Sequence, residues 1–106
     1  MTRGSVVVFR FPADKARPGI VVRSDLLSAL PYLTLLPITT ELREGIRFRM
    51  DIAPSEANGL REPSQVMVDW PQTGRVTQIG SVIGVIDDDL MRDITGRLGI
   101  VLGLTT

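Results

Sequence analysis

The sequence predicts a mainly β domain: a small, strongly bent barrel closed by a C-terminal helix. Three observations carry this. Short apolar runs broken by Gly, Pro and Asn fill the first three quarters of the chain. The segment Ile46-Arg47-Phe48-Arg49-Met50-Asp51-Ile52 alternates apolar and polar residues, the period of a strand with one face on a core. From Asp87 the period changes, and Leu90, Met91, Ile94, Leu98, Val101 and Leu102 recur at helical spacing.

Taken in order, the first strand is expected over Gly4–Phe11, ended by Pro12. Gly19–Arg23 is nearly continuous in apolar residues, as a strand buried on both faces would be. Ser24 can cap one or two helical turns that Pro31 closes. Tyr32–Thr39 reads as another buried strand, and Asn58-Gly59 as a turn. Ser64–Asp69 is expected to be a strand, with Val66 and Val68 on one face and Gln65, Met67 and Asp69 on the other. A short strand is expected near Val76–Ile79. Asp87, Asp88 and Asp89 fall at the helix start, where carboxylates suit the helix dipole. Adjacent side chains do not converge on one ion, so a metal site is not expected there.

With 106 residues the chain is read as one domain with a single modest core. It contains no cysteine and no histidine. That excludes disulfides, thiolate-bound zinc, Ser-His-Asp and Cys-His nucleophiles, and RNA cleavage by a pair of histidines. No apolar run is long enough to span a bilayer, and the start has no signal-peptide layout, so a cofactor-free cytosolic protein is expected. Net charge is zero, but residues 1–49 carry eight basic side chains against four acidic ones. Eleven of the twelve basic residues are arginine, the side chain suited to gripping phosphate with two donors. A GC-rich genome explains the same bias.

Two segments hold most of the chemistry. Lys15-Ala16-Arg17-Pro18 runs into the strand Gly19-Ile20-Val21-Val22, and Leu35-Leu36-Pro37-Ile38 ends in Thr39-Thr40. Arg17 just before one strand and Thr39 at the end of another bring a guanidinium and a hydroxyl to one rim of the barrel. Such a pair suits an anionic oxygen.

With these residues the chain resembles the MazF/PemK (Kid) family of type II toxin endoribonucleases. The resemblance rests on Arg3-Gly4 before Val6-Val7-Val8, Arg17-Pro18 before Ile20-Val21-Val22, and Pro37-Ile38-Thr39-Thr40. It continues through Asn58-Gly59-Leu60, Pro63-Ser64 and Val68-Asp69 to Thr95-Gly96-Arg97-Leu98. It implies an SH3-like (CcdB/PemK-like) barrel that forms a symmetric homodimer, cleaves single-stranded RNA without metal and is held inactive by a cognate antitoxin. It also implies a prokaryotic cytoplasmic setting. By resemblance, Arg17 and Thr39 stand at the catalytic Arg and Thr of the MazF branch, and Asp69 at the general base of the PemK branch. Lys15, Thr40, Trp70 and Gln72 are the candidate RNA contacts. The chain departs from the family pattern at Met67, where the PemK branch has a catalytic Arg, and at Gln72, where an Arg is usual. The segment Pro12-Ala13-Asp14-Lys15-Ala16 is short for the family.

RNA supplies its own nucleophile, the 2′-hydroxyl, so the protein need only align it, accept a proton and stabilise charge on the phosphorus oxygens. The expected products are a 2′,3′-cyclic phosphate and a 5′-hydroxyl end. Asp69 reads equally as a turn residue before Pro71, and Trp70 equally as a stacking platform or a residue of the dimer interface or barrel rim. Two other functions stay open. A gyrase poison of the CcdB type would carry Trp-Gly-Ile at its C-terminus, whereas this chain ends Leu104-Thr105-Thr106. A degenerate member would bind RNA or antitoxin without cutting.

Overall fold

The computed structural model describes residues 1–10 and 15–106. They form strands β1 (Ser5–Arg10), β2 (Ala16–Val21), β3 (Tyr32–Thr39), β4 (Arg49–Ile52), β5 (Ser64–Met67), β6 (Gln72–Arg75) and β7 (Ile79–Val85), then helix α1 (Asp88–Val101). Short 3-10 turns lie at Asp25–Leu27 and Val76–Gln78. The strands are antiparallel in the order β4-β5-β3-β2-β1-β7, and β6 also pairs with β3.

Continuous apolar runs are needed because the central strands are buried on both faces. Val6 pairs with Ile20 and Ile20 with Leu36, and all three enter a core completed by Ile38, Met50, Ile52, Val66, Val68, Ile86 and Ile94. The neighbouring side chains Val7, Val21 and Leu35 point the other way, into a second core with Phe9 and Leu33. Helix α1 closes the first core with Ile94, fully buried, and with Leu90, Met91, Leu98 and Val101 packed around it. Asp87 caps this helix, its Oδ1 accepting the Leu90 N–H at 2.7 Å.

Several expectations need correction. Strand β2 starts at Ala16, so Arg17 lies within the strand and not before it. The alternating segment is a strand only over Arg49–Ile52, because β5 offers it partners only from Met67 back to Ser64. Upstream of that ladder Ile46 is exposed and Phe48 half-buried. The strand expected to reach Asp69 ends at Met67, and its outward-reading Gln65 is buried. Val76–Gln78 is a turn and not a strand, linking β6 to β7; the Gln78 side chain accepts the Arg75 N–H at 2.8 Å. Leu102 is exposed, past the end of α1. Phe11 and Pro12, expected to end the first strand, lie outside the described residues.

Arg3 ties the helix to the barrel. Its guanidinium donates to the Val22 carbonyl and, at 2.7 Å, to Thr95 Oγ1 on α1, while its N–H donates to Asp25 Oδ1 at 2.8 Å. Arg3→Ala removes the two side-chain bonds and is expected to cost about 1–3 kcal/mol, read as a lower urea midpoint with an unchanged slope.

Candidate active site

Strand β3 belongs to two sheets, and the site lies where they part. Its first half pairs with β6, from Tyr32–Arg75 to Leu35–Gln72. Its last residues pair with β5, Ile38 with Val66 and Thr39 with Gln65. The β2–β3 ladder meanwhile stops at Gly19–Pro37. Proline has no N–H to give a ladder, so Pro37 suits the place where β3 leaves one partner for another. Counted onward in the same register, Arg17 falls opposite Thr39. The β2–β3 ladder has ended by then, and a cleft of about 410 Å³ opens beside Arg17 and the end of β3.

Arg17, Pro37, Ile38, Thr39, Glu41, Arg43, Arg49, Met67, Trp70 and Gln72 line this cleft. Arg17, Thr39, Trp70 and Gln72, all anticipated from sequence, are therefore brought together. Lys15 and Thr40 are exposed and do not line it. Asp69 also falls outside the lining, in the exposed turn after β5, although the Trp70 beside it lines the cleft. Met67 and Gln72, the two departures from the family pattern, both face the cleft.

Thr39 is buried, and its Oγ1 accepts the Glu41 N–H at 3.0 Å. A hydroxyl that accepts in this way keeps its own hydrogen to donate, so the local turn orients Thr39 as a donor. Three further residues, Glu41, Arg43 and Arg49, escaped the sequence reading. Alternation assigned Arg49 to solvent, yet its Nη1 donates to the Glu41 carbonyl at 3.2 Å across the cleft wall. Arg43 is placed by a buried amide: Gln65 Oε1 accepts the Arg43 N–H, and Gln65 Nε2 donates to the Arg43 carbonyl, both at 3.0 Å. No periodic pattern reports a loop held in this way. The available signal was Glu41-x-Arg43 directly after Thr39-Thr40.

Three arginines against one glutamate give the cleft an excess of positive charge. The hydrogen bond and charge of Arg43, 2.9 Å from Glu41, hold that carboxyl below the usual glutamate range, with Arg49 and Arg17 adding to the effect. Because the folded pKa is depressed, this contribution to stability is present above pH 4.5 and is lost as pH falls through the lowered value. Glu41 is thus ionised at neutral pH. The arrangement can hold a phosphodiester by paired guanidinium donors and add one hydroxyl donor from the opposite strand.

A small barrel with a cationic cleft suits an anionic ligand, and known proteins place the chain more closely. The model of the PemK-like, MazF-like toxins of type II toxin-antitoxin systems matches residues 2–102. The chain belongs to this family. Endoribonuclease MazF3 of Mycobacterium tuberculosis is 34% identical over 74 residues, 69% of each chain. Toxin MazF-mt6 of the same organism superposes with a TM-score of 0.82 at 27% identity, covering 96% of this chain and 99% of that one. A mycobacterial endoribonuclease solved with its cognate antitoxin gives 0.85 at 22% identity, covering 100% and 98%, a likeness of fold.

Proposed function

We propose that the chain is the toxin of a type II toxin-antitoxin pair, an endoribonuclease that cuts single-stranded RNA in the cleft lined by Arg17 and Thr39. The observation that carries the site is the register that sets Arg17 opposite Thr39 where the β2–β3 ladder ends. The scissile phosphate lies against Arg17, with Arg43 and Arg49 completing the cationic wall. The 2′-hydroxyl attacks phosphorus, the bond to the 5′-oxygen breaks, and a 2′,3′-cyclic phosphate and a 5′-hydroxyl end result. Arg17 and Thr39 donate to the phosphorus oxygens as charge builds on them. Glu41, the carboxylate lining the cleft, is held too acidic for an efficient base. The step balances with the 2′-hydroxyl proton released to solvent and the leaving oxygen protonated from solvent. Asp69 would have to reach the cleft from its turn to take that role.

The cognate antitoxin is the protein partner in this reading, and two copies of the chain form the working unit. The dimer is supported by the exposed apolar side chains of Val82 and Val85 on β7, which a second copy would cover. No helix among the described residues is long and apolar enough to cross a membrane. The RNA target in this reading is intracellular.

The test is to incubate the purified protein with a long unstructured RNA in excess EDTA and map the new ends. Cuts with 5′-hydroxyl and cyclic phosphate ends are expected. An intact RNA, or 5′-phosphate ends, would reject the reading.

A further inference from the structure

A second cleft, of about 530 Å³, lies beside the first and shares Arg43 and Arg49 with it. The volume is that of a small-ligand site. Its remaining walls come from the chain after Thr40 and from β4 and β5. Leu42, Ile46, Ile52 and Pro63 are apolar, while Glu44, Asp51, Ser64 and Gln65 are polar. The charge balance differs from that of the first cleft. Here two arginines meet two carboxylates, so the space does not select a phosphate; apolar walls around a few fixed polar groups suit the flat face and polar edge of a base.

The polar groups are built in. Gln65 is 6% exposed, and its amide nitrogen donates at 3.0 Å both to the Arg43 carbonyl and to Asp51 Oδ1. One buried side chain therefore fixes both the arginine that divides the clefts and the carboxylate in the second cleft. Among the described residues the Asp51 carboxylate receives no other hydrogen bond from the protein. A carboxylate has further acceptor capacity, and an acceptor on a base edge reads amino donors. Specific recognition of single-stranded RNA works in this way, on unstacked bases.

We infer that this cleft takes the base next to the scissile phosphate, and that Asp51 selects bases bearing an amino group (guanine, cytosine or adenine) over uracil. The inference rests on the endoribonuclease reading above and adds the source of its sequence preference. Asp51 acts as a specificity residue, apart from the atoms that react.

The test uses a randomised single-stranded RNA library, cut in EDTA, with the 5′-hydroxyl ends sequenced. The wild-type protein should disfavour uracil at one position flanking the cut. Asp51→Asn keeps an acceptor for Gln65 but turns half of the carboxylate into a donor, so the preference should fall about tenfold, toward or past parity. The melting temperature should hold, because Asn still accepts from Gln65. Ala53→Phe, which fills part of the cleft it lines, should slow cleavage of long RNA through KM. An unchanged base preference in Asp51→Asn overturns the inference, as does a wild-type protein indifferent to uracil beside the cut. Unchanged preference with weaker antitoxin binding would overturn it too, and would give the cleft to the antitoxin. If the wild type cuts nothing, the endoribonuclease reading falls first, and this inference with it.

Discussion

Arg17→Ala is expected to lower the single-turnover rate of RNA cleavage about 10²–10³-fold, the usual loss when one preorganised donor to a developing oxyanion is removed. Arg17 is carried on β2 at the point where β3 turns away, so its guanidinium projects into the cleft from a strand. Donors on rigid strands cost little reorganisation as charge develops. Arg43 and Arg49 remain in the variant, so binding of an RNA with a 2′-deoxy nucleotide at the cut should weaken far less than the rate. Thr39→Ala should show the same split with a smaller loss, because Thr39 gives one hydroxyl donor where Arg17 offers a fork. Arg17→Lys keeps the charge without the fork and should recover only part of the rate. Rapid-quench kinetics at saturating protein checks all three. An Arg17→Ala rate within a few-fold of wild type would remove the cleft from the reaction.

The parts of this protein readable from sequence were those set by local chemistry. Strand β3 matches its expected span, Tyr32–Thr39, because an apolar run between Pro31 and polar Thr40 has few other options. Ser24 caps its 3-10 turn through the Leu26 N–H, as expected. The Arg17–Thr39 pairing was legible as proximity, but its cause was not, since a register running out at Pro37 is a property of two sheets together. The loop carrying Glu41 and Arg43 was missed for a related reason. Its anchor, Gln65, follows the strand period outward yet is buried, because its partners are backbone groups 22 residues away. Asp69 lies in the turn after β5 and not on the strand expected to carry it, because that strand ends at Met67.

The largest loss of stability is expected outside the cleft, at Gly59→Ala. Asn58 organises the turn: its Oδ1 accepts the N–H groups of Ser55 and Leu60, and its Nδ2 donates to the Ala53 carbonyl. The turn then docks on β7 through Gly59, whose φ is +73°. A Cβ on Gly59 would lie 2.2 Å from the Ile83 carbonyl oxygen and 2.8 Å from its carbon. Both are backbone atoms of β7 and cannot swing aside as a side chain could. Gly45 supplies the control, because it has nearly the same φ, +75°, with nothing within 4 Å of its added Cβ. Gly45→Ala should therefore cost only the left-handed backbone penalty, about 1 kcal/mol. Gly59→Ala adds displacement of the turn from β7 and should cost about 3–5 kcal/mol, a large share of the total for a domain of this size. In thermal melts Gly59→Ala should fall by about 12 °C or more and Gly45→Ala by about 4–8 °C. Equal shifts in the two would mean that the turn yields without loss, and that the Asn58-Gly59 pair serves its own loop and not the seam with β7.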